Sequence, residues 1–249
     1  MPLDARFVLF GLLVLTAKAV EAVTGFGSTI IALTLGAQMY PIETLLPVLV
    51  PLNIVLSTYI VARHRAGVVT DVLFKRILPL AGVGLAVGMG IFAYTHGRTL
   101  KLAYGIFVLL ISAYELQRIL RAKDAAEAKP MSFVQSAFWL ISGGIIQGIY
   151  ASGGPLIVKY ASVTLTDKKQ FRSTLSVLWL VLNIVLLVDY VRTGKVTAAT
   201  LEPIGLLLPA LFLGIVIGEW LHHRIPERAF RIFVFALLIV AGLSLVFKA

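Results

Sequence analysis

Two short glycine-containing stretches carry the residues that could do chemistry in this sequence. GFGSTI at Gly25–Ile30 interrupts an apolar segment near the start, and ASGGPL at Ala151–Leu156 interrupts another one later in the chain. Where a helix restarts after such a break, its first turn offers unpaired backbone N–H groups and a partial positive charge. Glycine lets a ligand approach that backbone closely. We therefore predict that the two breaks together bind a small anion.

Side chains near the breaks add further groups that can bind an anion. Hydroxyls can donate to an oxyanion, and an asparagine buried in each half needs a hydrogen-bond partner, either in the ligand or on a neighbouring helix. The alternative is that the glycines only let helices pack closely, as small residues do in membranes. Two breaks at matching places favour a ligand site. The predicted substrate-binding residues are Thr24, Gly25, Phe26, Gly27, Ser28, Thr29, Asn53, Tyr150, Ala151, Ser152, Gly153, Gly154 and Asn183.

A pair of charged residues precedes the first break. Lys18 and Glu21 are three residues apart and therefore share one face of a helix. Charges within a membrane are candidates for function, although this pair could simply neutralise itself. If Glu21 instead titrates, it is the best candidate for proton coupling, and any such coupling is one-sided because its counterpart in the second half, Gln147, cannot titrate. The predicted coupling residues are thus Glu21, Lys18 and Gln147.

The composition identifies the kind of element that must position these residues. The chain has 59% hydrophobic and 14% charged residues and a mean hydropathy of +0.96, whereas a soluble domain has about 45–50% apolar and about 25% charged residues. We predict an all-α polytopic membrane protein in a lipid bilayer. The net charge of +10 then reflects basic residues in loops on one side of the membrane rather than a nucleic-acid partner.

Several classes of chemistry have no support in the sequence. It contains no cysteine, which excludes disulfides and thiol catalysis. No HExxH, GxSxG, P-loop or acidic metal cluster occurs. We therefore predict no catalytic residue, no metal and no cofactor, and a protein that is not an enzyme. Trp139, Trp179 and Trp220 are interpreted as packing or membrane-interface residues.

The chain consists of two copies of one unit. LNIVL occurs at residues 52–56 and again at 182–186, a shift of 130 positions. The predicted units are an N-terminal repeat (residues 1–118), a polar linker (119–130) and a C-terminal repeat (131–249). The same shift pairs Pro79 with Pro209, Gly84 with Gly214 and Gly88 with Gly218, and a shift of 126 pairs Glu21 with Gln147 and Gly27 with Gly153. Gly84 and Gly88 form a GxxxG motif in the first repeat, and Gly214 and Gly218 form one in the second. We interpret both motifs as helix-packing sites, with Gly82 and Gly90 extending the first.

Each copy is predicted to contain five helical segments, of which the first two form a hairpin. The segments are residues 7–23, 26–38, 42–61, 72–94 and 100–116, followed by 133–149, 155–165, 168–191, 201–222 and 227–247. Those after the breaks are too short to cross about 30 Å of hydrocarbon. With a hairpin at each break, 14 of the 22 basic residues lie on one face, 6 on the other and 2 within the membrane. This predicts inverted repeats with both termini outside and the linker in the cytoplasm.

The motifs also resemble a known family. TGFGS at the first break, GG-x-x-Q-G-x-x-x-SGGP at residues 143–155 and the two-fold repeat are similar to the TauE/SafE family of sulfite and organosulfonate exporters. The resemblance implies transport of small sulfur-containing or carboxylate anions across the bacterial inner membrane. Inverted repeats with broken helices are typical of secondary transporters that work by alternating access. We predict such a transporter, with a proton or sodium as possible coupling ion and a homodimer as possible assembly. An anion channel is the first alternative and an intramembrane enzyme the second.

Overall fold

A computed structural model describes residues 1, 3–121, 131–165, 167–221 and 227–248, without the side chains of residues 23, 24, 64, 168, 221 and 227–231. Within these ranges the chain folds into ten helices joined by short connections. They are α1 (Ala5–Thr24), α2 (Ser28–Gly36), α3 (Ile42–His64), α4 (Thr70–Tyr94), α5 (Gly97–Arg121), α6 (Phe133–Tyr150), α7 (Gly154–Thr164), α8 (Lys168–Arg192), α9 (Ala198–Leu221) and α10 (Glu227–Phe247). Residues 122–130 of the predicted linker lie outside the described ranges.

All ten predicted helical segments are present, and polar caps explain where several of them begin. Asp4 accepts hydrogen bonds from the backbone N–H groups of Arg6 and Phe7 at the start of α1. Ser132 and Gln135 form a capping box at the start of α6. Asp167 accepts from the N–H of Gln170 in α8. These side chains satisfy N–H groups that have no partner within the helix.

Five of the helices are long and apolar enough to cross a membrane: α3, α4, α5, α8 and α9. In contrast, α2 has 9 residues and α7 has 11. At a rise of 1.5 Å per residue they extend roughly 14 and 17 Å, about half of the hydrocarbon thickness. The protein is thus an all-α polytopic membrane protein in which the segment after each glycine break is too short to cross alone, as predicted.

The helices pack in pairs that are preserved when the two halves are exchanged. The main pairs are α4 with α6, α1 with α9, α5 with α10, and α3 with α8. Exchanging the first five helices with the last five turns α4–α6 into α9–α1 and leaves the other two pairs unchanged. The pattern of helix pairs is therefore symmetric with respect to exchange of the first five and the last five helices.

The pairs α4–α6 and α1–α9 use the same contact between glycine and backbone. A Cβ atom added to any of four glycines would collide with a carbonyl oxygen of the partner helix, so only glycine allows these helices to approach so closely. The shift of 126 positions that relates the hairpins also pairs Leu15 with Ile141 and Ala19 with Ile145. The contacts join Gly84 to Ile141 and Gly88 to Ile145, and likewise Gly214 to Leu15 and Gly218 to Ala19.

The prediction that Gly82 and Gly90 extend the first packing site is wrong. A Cβ on either residue would have nothing within 4 Å. They lie on the same helix as Gly84 and Gly88, but they point away from α6 because residues two apart in a helix do not share a face.

This difference gives a matched pair of variants. Gly88→Leu should destabilise the protein by on the order of 3 kcal/mol or more, because its side chain would collide with the α6 backbone. Gly90→Leu, two residues away in open space, should change the stability by about 0.5 kcal/mol or less. Thermal unfolding of both variants in detergent measures the difference. Equal melting temperatures would contradict the proposed packing of α4 on α6.

Candidate functional site

The first glycine break uses two residues with positive φ. Gly25 ends α1 with φ 81°, and its N–H donates to the Glu21 carbonyl oxygen over 2.7 Å. Gly27 precedes α2 with φ 98°. Side chains disfavour this left-handed region, so glycine is suited to both positions. The GFG sequence thereby ends one helix and starts the next within three residues.

The second break has a different backbone. Ala151 ends α6 in the left-handed region with φ 51°, and its N–H donates to the Gln147 carbonyl oxygen over 2.8 Å. Gly153 has an ordinary φ of −67°, but a Cβ there would collide with the carbonyl oxygen of Gly143. Glycine at 153 therefore allows a close approach of backbone rather than an unusual turn. Pro155 lies in the first turn of α7, where no N–H is needed.

The two breaks line one shared cavity with an accessible volume of about 30 Å³. The first residues of both short helices face it, namely Thr29 of α2 and Gly154 and Pro155 of α7. Six side chains in the lining are polar, so the space is not filled by packed aliphatic groups. The lining residues are Glu21, Phe26, Gly27, Thr29, Ile30, Asn53, Gln147, Ala151, Ser152, Gly154, Pro155, Trp179 and Asn183.

Most of the predicted site residues lie in this lining. Gly25 packs against Arg172 of α8. The Tyr150 hydroxyl donates to the Leu100 carbonyl oxygen over 3.0 Å, and the Gly153 N–H donates to Gln147 Oε1 over 3.0 Å. The side chain of Thr24 is outside the described part of the structure. The predicted residues outside the lining are thus Lys18, Gly25, Ser28, Tyr150 and Gly153, with Thr24 undescribed.

A charged hydrogen-bond network lies beside the cavity in the first half. Lys18 is 1% exposed; its Nζ donates to Ser28 Oγ over 3.0 Å and to Asn53 Oδ1, and it lies 3.6 Å from Glu21 Oε2. The Ser28 hydroxyl donates to the same Glu21 carboxylate. Asn53 Nδ2 donates to Thr29 Oγ1 over 2.8 Å. The network joins the end of α1, the start of α2 and the middle of α3.

The corresponding network in the second half is neutral. Gln147 Nε2 donates to Asn183 Oδ1 over 3.3 Å, and Asn183 Nδ2 donates to the Trp179 carbonyl oxygen over 2.8 Å. Gln147 and Glu21 occupy corresponding positions, as do Asn183 and Asn53, and all four line the cavity. Among the described residues, the lining therefore has corresponding polar groups from both halves but one carboxyl group, that of Glu21.

The structure adds a residue that the sequence analysis assigned to packing or the membrane interface. Trp179 lines the cavity and is only 6% exposed, yet its indole N–H has no hydrogen-bond partner. A buried donor without a partner is uncommon and is available to a ligand. Trp179 lies four residues before Asn183, on the same helical face, so the spacing was a usable signal.

Tyr104 of α5 links the two breaks and was also missed. Its hydroxyl lies 3.3 Å from the Ile30 carbonyl oxygen and 3.4 Å from Ser152 Oγ. Its ring is fully buried and packs against Tyr150 with centroids 4.6 Å apart. Nothing in the local sequence distinguishes Tyr104 from other helical tyrosines.

The arrangement suits binding of an anion by dipoles and hydroxyls. Among the described residues, no three His, Asp or Glu side chains come together in a group that could hold a metal ion.

Comparison with known proteins identifies a family and a relative. The family described as Sulfite exporter TauE/SafE matches residues 9–245. The Comamonas testosteroni protein named "Probable inner membrane transporter protein TsaS" is 26% identical over 170 residues, which cover 68% of this chain and 69% of that protein. No solved structure matches the chain.

Proposed function

Because this chain belongs to the TauE/SafE sulfite exporter family, we propose that it is a secondary transporter of a small anion in the bacterial inner membrane. The proposed substrate is sulfite, an organosulfonate or a similar sulfur-containing or carboxylate anion. The relative named as a probable inner membrane transporter supports the location and the general activity.

The main support for this proposal is that the first turns of α2 and α7 face the same polar cavity. Each helix N-terminus contributes N–H groups and a partial positive charge. Trp179 adds an indole N–H that no protein group uses. The accessible volume of about 30 Å³ is room for roughly two water molecules, which suits a small anion better than a sugar or peptide.

The packing also supports alternating access between two inverted repeats. The pairs α1–α9 and α4–α6 have the same construction, and each joins a helix of one repeat to a helix of the other. In this proposal both termini lie outside, the linker lies in the cytoplasm, and the anion is held near the midplane. The hydroxyl of the fully buried Tyr104 lies beside both breaks, near Ile30 and Ser152, and Arg172 packs on Gly25 of the first break. Rocking of one helix bundle against the rest would expose the site to each side in turn.

The proposal is tested by binding and flux. Purified protein is screened by thermal shift against sulfite, thiosulfate, sulfate, methanesulfonate and acetate, and uptake is then followed in vesicles. We expect at least one anion to raise the melting temperature, and its flux to saturate and show counterflow. Linear flux without counterflow would indicate a channel. No response to any of these anions would refute the proposal.

Trp179→Phe tests the anion site without disturbing the fold. Phenylalanine keeps the aromatic packing and removes the N–H, which has no partner within the protein. A hydrogen bond to a charged group contributes about 1.5–3 kcal/mol, so the anion affinity should fall roughly tenfold or more. The melting temperature without ligand should stay the same. Isothermal titration calorimetry measures the affinity, and Trp139→Phe serves as the matched control. Unchanged anion affinity in Trp179→Phe would show that the indole N–H does not contact the anion.

A further inference from the structure

We infer that the cavity binds its anion together with one proton, which Glu21 takes up; this inference rests on the proposed function. Glu21 lines the cavity, whereas its counterion Lys18 does not. An anion in the cavity would therefore face a carboxylate whose positive partner lies behind it. Among the described residues in the lining, Glu21 is the only one that ionises.

Charge balance gives the reason for proton uptake. Without a ligand, the Lys18 ammonium and the Glu21 carboxylate neutralise each other in a buried pair. A bound monovalent anion would leave one uncompensated negative charge in an apolar environment, which is strongly unfavourable. If a proton from solvent bonds to a Glu21 carboxyl oxygen, the Lys18 charge becomes the counterion of the substrate. One proton per monovalent anion restores neutrality.

The hydrogen bonds around Ser28 allow this change without leaving a donor unpaired. In the present arrangement the Ser28 hydroxyl donates to Glu21 and accepts from Lys18. Once protonated, Glu21 can donate to Ser28 Oγ, whose second lone pair still accepts from Lys18. The Ser28 O–H is then free to turn toward Asn53 Oδ1, which lies 3.4 Å away on a residue of the cavity lining. Protonation of Glu21 would thus remove a negative charge from the lining and leave no donor unpaired.

The charged groups on the helices packed around Glu21 lie outside the cavity lining. Asn53 faces it from α3, and across the cavity lie the amides of Gln147 and Asn183. From α9, Gly214 and Gly218 pack on α1. Glu219, which is also in α9, accepts a hydrogen bond from Tyr59 of α3 and forms an ion pair with Arg63 of α3. From α8, Arg172 packs against Gly25. The Glu219–Arg63 pair and Arg172 do not line the cavity.

The second half of the chain shows which substitution of Glu21 tests this inference. The position that corresponds to Glu21 in the second half is Gln147, a neutral residue of nearly the same shape. Glu21→Gln therefore imitates the protonated acid. Glu115→Gln is the matched control, because Glu115 is also buried and ion-paired, with Arg118, but does not line the cavity.

The experiment measures methanesulfonate binding by calorimetry from mildly acidic to mildly alkaline pH, since the charge of this anion does not change in that range. In the wild type the dissociation constant should rise about tenfold per pH unit wherever Glu21 is ionised, which is the dependence for one linked proton. Glu21→Gln should bind with an affinity independent of pH, and Glu115→Gln should behave like the wild type. Titrations of the wild type in two buffers of different ionisation enthalpy count the protons directly, even if a variant fails to fold.

The outcomes separate this inference from the proposed function. Wild-type affinity that does not change with pH, or a Glu21→Gln variant that keeps the wild-type dependence, would overturn proton uptake by Glu21 and leave anion binding intact. Failure of the wild type to bind methanesulfonate, sulfite or any other anion of the proposed class would overturn both. One proton taken up per anion in the wild type and none in Glu21→Gln would support the inference.

Discussion

Replacing Gly153 with alanine should remove anion binding and destabilise the protein. A Cβ at this position would collide with the Gly143 carbonyl oxygen and lie 2.9 Å from the Gln147 Cβ. The start of α7 must then move, which breaks the hydrogen bond from the Gly153 N–H to Gln147 and displaces Gly154 and Pro155 from the cavity. Overpacking of this kind costs about 1–3 kcal/mol and occasionally more. We expect a lower melting temperature and at least about a tenfold loss of affinity.

The neighbouring glycine provides the control. A Cβ on Gly154 would lie 3.5 Å from Phe26 and 4.0 Å from Trp179, which are ordinary contact distances. Gly154→Ala should therefore melt close to the wild type, and the difference between the two variants isolates the clash with Gly143. Wild-type stability and wild-type binding in Gly153→Ala would show that the second break does not have the described packing.

Removing the charge of Lys18 should have the second large effect. Lys18→Met leaves the buried Glu21 carboxylate without its counterion and takes a donor from Ser28 and Asn53. Breaking a buried ion pair by deleting one partner costs about 3–5 kcal/mol. The double variant Lys18→Met, Glu21→Gln removes both charges and should recover much of that stability. It should not recover anion binding, because the positive charge that balances the substrate is gone.

Thermal unfolding and calorimetry on the single and double variants test this cycle. The matched control is Lys195→Met, since Lys195 lies over the ring of Phe92 outside the cavity. If Lys18→Met were as stable as the wild type, the pair would not be buried and coupled as described. If the double variant bound anions normally, Lys18 would have no part in charge balance.

The sequence alone predicts much of this arrangement because its signals are local or repeated. Glycine, proline and capping residues mark the ends of helices, and the repeated LNIVL pentapeptide places Asn53 and Asn183 at corresponding positions. The Lys18–Glu21 contact follows from a spacing of three residues in one helix, and the structure places the two charges 3.6 Å apart.

The parts that could not be predicted depend on which neighbour each helical face meets. Gly84 and Gly90 look alike in the sequence, but only Gly84 points at α6. The close approach at Gly153 comes from Gly143, ten residues earlier, and has no signal in the local backbone. Likewise, only the folded structure shows that the buried indole N–H of Trp179 has no hydrogen-bond partner.

Both breaks are proposed to contact one bound anion, and single cysteines test this contact. The chain has no cysteine of its own, so Thr29→Cys and Ser152→Cys each place one thiol in the cavity, at the first and the second break. Thr197→Cys, at an exposed position, is the control. The rate of modification by an anionic methanethiosulfonate reagent is measured in detergent with increasing methanesulfonate. Our account predicts that methanesulfonate protects both cavity cysteines with the same half-maximal concentration and leaves the control unaffected. Protection of only one cavity cysteine, or of neither, would contradict it.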